Sequence, residues 1–273
     1  MLRKLLKYEF RASLLILPIC LVAMALLYGA GWAAKAIGIS QLATTCAVFL
    51  ALVGCASVVV ALITAILRFY KGVFGAEGYL IKTLPVGKGS IILSKAITAY
   101  VLLFAGMLMA LLAILGTMQL MGAQEFFKGL NEQLGGSLVT MGVYVGVSML
   151  IGLALTIGEL YFAITLANTK TFSSNSVLFS VLFYFCTTMV AGLLEVVAML
   201  IVPLGLRIGA DGASFVFENM WGTLIESLRI SGGGSSDLMN VTIGMGNLAM
   251  DLLLAAAFLV AARWLMTKKT SVK

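Results

Sequence analysis

Histidine is absent from these 273 residues, and with it go the usual general base and the commonest metal ligand. The four cysteines, Cys20, Cys46, Cys55 and Cys186, all fall in apolar runs and show no C-x-x-C spacing. They read as small hydrophobic residues, not as a metal or redox set. Charged residues make up only 11% of the chain and proline occurs three times. A soluble domain carries about a quarter charged residues, so no soluble domain fits anywhere in this sequence. No cluster of acids, serines or cysteines stands in for the missing histidine. No catalytic residue, metal or cofactor is therefore expected.

What fills the chain is hydrophobic: 62% of residues. Runs without Asp, Glu, Lys or Arg extend from Ala12 to Ala34, Ile37 to Leu67, Ala96 to Gln124, Gln133 to Gly158 and Thr171 to Leu194. Each exceeds the roughly 20 residues that cross a hydrocarbon core as a helix. A sixth span, about Gly244 to Met266, carries Asp251 near one end and Arg263 near the other. Runs of this length with so little proline are helices in a bilayer, where every backbone group must be bonded internally. The expected fold is all-α and polytopic, one transmembrane domain over 1–273 with six transmembrane helices. The fifth run continues past Glu195 to Leu206, long enough to tilt or to lie in the outer interface.

Basic residues give the orientation. Fourteen of the eighteen Lys and Arg lie in the N-terminus, the 68–95 segment, the 159–170 segment and the tail; Lys35, Lys128, Arg207 and Arg229 take the other side. This asymmetry places both termini in the cytoplasm. The net charge of +7 then reflects topology and attraction to anionic lipid, and nucleic acid is not an expected partner. The start, MLRKLLKYEFR, precedes an apolar run too long for a signal-peptide core, so an uncleaved first span is expected. Within 1–11, Leu2, Leu6 and Phe10 recur opposite Lys4, Lys7 and Arg11. That pattern fits an amphipathic helix in the inner interface, with plain charged flanking sequence as the alternative.

Two acids lie in apolar surroundings, Glu195 and Asp251. A charge at a helix centre costs roughly 2.5–3.5 kcal/mol on insertion scales, so each marks either a polar pathway or a carboxylate reaching the outer interface. Gly142-x-x-x-Gly146, followed by Ser148 and Gly152, offers the fourth span a small-residue face, for packing within one subunit or for a dimer seam. The outer segment 207–243 holds Phe215, Phe217, Met220, Trp221, Leu224 and Ile225 at rough helical spacing, which predicts an interfacial helix before a Gly/Ser-rich loop.

The densest signal is the basic island from Arg68 to Lys95, RFYKGVFGAEGYLIKTLPVGKGSIILSK. Val86-Gly87-Lys88-Gly89-Ser90 is not a phosphate loop, because Lys82 and Gly89 occupy places that need Gly and Ser or Thr. Its pattern of Phe69, Phe74, Gly75, Glu77, Gly78, Tyr79, Leu80, Thr83, Leu84, Pro85 and Val86, then Ser94-Lys95, resembles the permease subunits of type-2 ATP-binding-cassette exporters of Gram-positive bacteria. A weaker echo occurs at Leu160-Tyr161-Phe162-Ala163-Ile164. Lys82 and Ala167 depart from the family pattern.

The resemblance implies a coupling role for Phe69, Phe74, Gly75, Glu77, Gly78, Tyr79, Leu84 and Pro85. That loop and the N-terminal interfacial helix would seat in a groove of a separate ATPase subunit, beside a second permease, in a bacterial cell membrane. Pro85 suits such a unit because it fixes its own φ and disfavours helix at Leu84, holding a short helix at an angle to the third span. A membrane-adjacent turn between two spans is the bland alternative. The expected cargo is hydrophobic or amphipathic: a peptide, an antibiotic or a lipid. From a different class, a secondary transporter or channel would use Glu195 and Asp251.

The topology is directly testable. Single cysteines at Lys71 and Ser235, with the native cysteines replaced, should label oppositely with an impermeant thiol reagent, only Ser235→Cys reacting from outside. Labelling of both from outside would overturn the assignment.

Overall fold

The computed structural model describes residues 6–10, 17–75, 87–123, 125, 128–129, 138–169, 172, 175–209, 212–217, 220–222 and 241–268. Among them are six helices long and apolar enough to cross a membrane. They are α1 (Leu17–Ile37), α2 (Ser40–Phe74), α3 (Lys88–Met121), α4 (Leu138–Ala167), α5 (Ser176–Ile201) and α6 (Gly246–Lys268). The protein is an all-α, multi-pass membrane protein. Its large hydrophobic side chains lie widely exposed along the spans, Leu26, Val59, Leu112, Val181 and Val260 among them, as a lipid-facing surface requires.

The prolines punctuate the helices. Pro18 is the second residue of α1, where its missing N–H removes no intrahelical bond. Pro203 follows the end of α5 at Ile201. Between α1 and α2 the chain turns through Gly38 at φ +87°, and α3 ends at Gly122, a left-handed cap at φ 71° whose N–H reaches the Met118 carbonyl. Both are conformations that a Cβ disfavours.

In three places the helices differ in extent from the charge-free runs that mark them. First, α2 and α3 run for 35 and 34 residues, each about 50 Å against a hydrocarbon core of about 30 Å. They take up most of the 68–95 island: Arg68 to Phe74 are the last turns of α2, and Lys88 to Lys95 the first turns of α3. Residues 76–86 lie outside the described residues, and with them Glu77, Gly78, Tyr79, Leu80, Thr83, Leu84, Pro85 and Val86. Second, the segment expected as an inner loop at 159–170 is helical as far as Ala167. A lone Glu159 does not interrupt a helix when its carboxylate finds a partner, and the echo at Leu160 to Ile164 lies in the span itself.

Third, α5 does not continue to Leu206. Pro203 disfavours helix in the residue before it, and a strand begins at Gly205. The strands β1 (Gly205–Gly209), β2 (Gly212–Val216) and β3 (Val241–Gly244) form an antiparallel sheet in the order β2-β1-β3. Leu206 sits opposite Phe215 on one side and Ile243 on the other. The aromatic patch thus begins in a strand: Ala213, Phe215 and Phe217 recur with period two, which outweighs the looser helical spacing. Phe215 and Phe217 are exposed. Met220 and Trp221 lie in a single helical turn at 220–222, and 223–240 fall outside the described residues.

The chain divides into two compact units, one of Met1–Glu125, Ile164–Ser176 and Ala261–Lys273, the other of Phe126–Ala163 and Val177–Val260. The first is built on α1, α2 and α3. The buried face of α2 is small, with Ala43, Ala47, Gly54, Ser57, Ala61 and Ala65, so α3 approaches closely. A Cβ on Gly54 would stand 2.5 Å from that of Ala113, and one on Gly106 3.0 Å from that of Ala61. Ser57 Oγ, buried in this seam, lies 2.6 Å from the Gly54 carbonyl and 3.1 Å from that of Gly106. At the far end Tyr28 donates to Gln119 Oε1 at 2.6 Å, and Lys35 to the Gln119 carbonyl at 2.8 Å.

The small-residue face expected to pack within the subunit, on α4, does not do so: nothing lies within 4 Å of a Cβ built on Gly142, Gly146 or Gly152. Small residues permit close approach but do not by themselves supply the partner helix. Gly54→Leu should therefore be costly, by about 1–3 kcal/mol from overpacking, whereas Gly142→Leu should be nearly neutral in the isolated subunit. Thermal denaturation of the detergent-solubilised protein distinguishes the two, and equal melting temperatures would refute the assignment of the seam.

Candidate functional site

Two polar constellations stand out, one in each unit. In the first unit, the short helical segment 6–10 carries Glu9 to the C-terminal end of α2 and the N-terminal end of α3. Glu9 Oε1 lies 2.6 Å from Lys95 Nζ, and its other oxygen 3.9 Å from Arg68. Arg68 also donates to the Glu9 carbonyl at 3.3 Å, and Lys95 to the Arg68 carbonyl at 3.4 Å. Lys95 is buried, its side chain 6% exposed, so it depends on this carboxylate for its charge compensation. The N-terminal segment is thus tied to both roots of the 75–87 connection.

Of the residues expected to couple, Phe69, Phe74 and Gly75 are among those described. Phe69 is fully buried, and its ring meets that of Phe74 edge-on at 6.4 Å. Gly75 ends α2, its N–H directed at the Tyr70 and Lys71 carbonyls, and a Cβ there would come within 2.7 Å of the Lys71 oxygen. Close approach, at φ −82°, is why glycine suits this position. Tyr70 and Ser176, the first residue of α5, share a hydroxyl hydrogen bond of 3.2 Å. Arg263 near the end of α6 packs on Gly89, where a Cβ would stand 2.9 Å from its Nε. Residues 6–10, the end of α2, the start of α3, Ser176 and the end of α6 therefore belong to one unit.

The second constellation lies within the membrane. Glu195 and Asp251, 56 residues apart in sequence, are side-chain hydrogen-bonding partners. Asp251 is only 7% exposed. One turn before it on α6, Asn247 bonds the Tyr144 side chain of α4, and the Tyr144 hydroxyl donates to the Gly244 carbonyl at 3.4 Å. Glu159 of α4, 4% exposed, accepts a hydrogen bond from Thr188 Oγ1 at 3.2 Å, and it lies within Coulombic reach of Glu195 and Asp251.

Thr188 and Glu195 are seven residues apart on α5, which puts them on one face about 10 Å apart along the axis. A Cβ on Gly192, between them on that face, would meet nothing within 4 Å. Where α4 and α6 touch, Gly158 lies against Ala255, and Phe162 against Phe258 at 5.3 Å between ring centroids. A polar seam contributed by three spans results.

Sequence reasoning found Glu195 and Asp251 but not that they meet, and it missed Glu9 and Glu159. The available signals were weak: Glu9 is the one acid among the bases of 1–11, and Glu159 is a charge directly after an apolar run. Among the described residues no three Asp, Glu or Cys converge closely enough to hold a metal ion. Compared with protein-family models, curated proteins and solved structures, the chain matches none.

The Glu9 tie has a measurable consequence. Glu9→Gln leaves the Lys95 charge buried without its carboxylate, which should cost on the order of 2–3 kcal/mol and lower the melting temperature. Adding Lys95→Met removes the stranded charge and should restore a large part of the loss. Glu9→Gln as stable as the parent would show that the pair contributes nothing.

Proposed function

We propose that this protein is the membrane-spanning permease subunit of an ATP-driven exporter. It resides in a bacterial cell membrane, bound to a separate ATP-binding-cassette ATPase and to a second permease, its own copy or a sister chain. The observation that carries the reading is the Glu9 tie to Lys95 and Arg68. A short N-terminal helix and the roots of a basic connection, fixed to one another by a buried ion pair, make a firm element on one side of the membrane.

A partner that pushed on the 75–87 connection would move α2 and α3 together, because their seam of Gly54, Ser57 and Gly106 leaves no slack. The length of both helices supports the same reading. With about 20 Å beyond what the hydrocarbon core needs, they carry Phe74 and Gly75 toward water, where a soluble subunit can reach them, with the buried Phe69 as the support beneath. The cargo is a hydrophobic or amphipathic compound, consistent with a seam of polar groups set among lipid-exposed apolar faces.

A second reading, a secondary transporter or channel, is favoured by the Glu195 and Asp251 pair, since intramembrane carboxyls are the usual carriers of protons and ions. The two readings differ in their energy source. Purified from its native membrane, the exporter subunit should retain an ATPase in stoichiometric amount. Glu77→Ala or Gly78→Val should weaken that association about thirty-fold, the equivalent of roughly 2 kcal/mol at the centre of an interface, while the six spans still insert. A chain that never retains an ATPase, and whose transport is untouched by both changes, belongs to the second reading.

A further inference from the structure

Two oxygen atoms in the seam are left without a partner. Asp251 Oδ1 and Asn247 Oδ1 are buried and accept no hydrogen bond from any described residue. They are four residues apart on α6 and so share a face. Buried acceptors in hydrocarbon are costly when unmet, by several kcal/mol each, and both call for a donor. The charge balance calls for a positive one. Glu159, Glu195 and Asp251 lie within mutual Coulombic reach, and α4, α5 and the part of α6 up to Ala262 contain no Lys or Arg.

The size of the missing group follows from the spacing. The acids are spread along the seam and do not converge on one point as a metal ion demands. Nothing lies within 4 Å of a Cβ on Gly192, on the Thr188 and Glu195 face, so there is room for a group larger than an ion. Beside the seam, Leu193, Val196, Leu252 and Leu253 are exposed apolar side chains.

We infer that the seam of Asp251, Asn247, Glu195 and Glu159 is a binding site for an organic cation with an apolar body. Its ammonium or amino groups donate to Asp251 Oδ1 and Asn247 Oδ1, while its hydrocarbon or ring system lies along the exposed faces of α5 and α6. The inference rests on reading the chain as a transport subunit and narrows its cargo to cationic amphiphiles.

The test uses the full chain in nanodiscs of zwitterionic lipid, with ethidium as the probe, a flat cation bearing N–H donors, followed by fluorescence anisotropy. Saturable binding is expected, about ten- to hundred-fold weaker in Glu195→Gln and Asp251→Asn, as loss of a charge-assisted hydrogen bond implies. Gly192→Phe, which fills the open space and leaves every acid in place, should weaken it as well. Dihydroethidium, the uncharged form of the same ring system, should bind at least ten-fold more weakly than ethidium.

Circular dichroism and gel filtration check that each variant is folded. If Asp251→Asn does not insert, Glu195→Gln and Gly192→Phe carry the test. Absence of saturable binding, equal binding by the folded carboxamide variants, or equal binding of the neutral ring overturns the proposal. A carboxylic-acid infrared band that titrates with pH and vanishes in Glu195→Gln, with ethidium binding unchanged, would identify the seam as a proton site instead, and that too overturns it. Because no ATPase is present in the assay, its failure leaves the coupling reading standing, and loss of the coupling reading leaves a measured binding intact.

Discussion

Hydrocarbon offers no hydrogen-bond partner, and everything in this protein answers to that. Each of the six spans satisfies its backbone within itself, and the chain leaves the helix only at the ends of spans, as at Gly38, at Gly122 and after Ile201. Side chains obey the same rule. The hydroxyls of Thr44, Thr64, Thr98 and Thr156 each bond the carbonyl one turn earlier in their own helix. Serine and threonine thus cost little inside an apolar span. Carboxyl groups cannot be satisfied so locally, and they are the residues that force helices to cooperate.

That cooperation takes two forms. Where the end of α2 meets the start of α3, Glu9 pairs with the buried Lys95 and with the part-exposed Arg68, a cluster of opposite charges that fastens the N-terminal segment. Within the spans, Glu195, Asp251 and Glu159 meet one another and, among the described residues, neutral groups, with Asp251 Oδ1 and Asn247 Oδ1 left without a partner there. A cluster of opposite charges is a structural fastening. An uncompensated one, in a region where desolvation is costly, has reason to persist only if something else completes it.

The two units differ in how tightly their helices hold. Between α2 and α3 the glycines at 54 and 106 leave no space for a Cβ, and the backbones approach closely. On α4 and α5, Gly142, Gly146, Gly152 and Gly192 face open space. The first arrangement suits an element that passes a displacement from one end to the other. The second suits a surface completed by something else.

The sequence by itself determined the class of molecule and the number of spans, because these depend on run length, composition and local chemistry. Apolar runs with almost no proline in hydrocarbon leave the backbone no choice but helix, and Pro18 and Pro203 mark helix ends wherever they occur. The β-strands at Gly205 to Val216 were legible only in the two-residue rhythm of Ala213, Phe215 and Phe217, a signal too short to outweigh a competing helical spacing. Tertiary structure alone decided the partners. Whether Asp251 reaches water or Glu195, whether Glu159 ends a span or is paired inside it, and which glycines are pressed against a neighbour all depend on helices distant in the chain. A residue's type states that a buried carboxyl or an exposed Cα needs a partner, but only packing brings that partner to it.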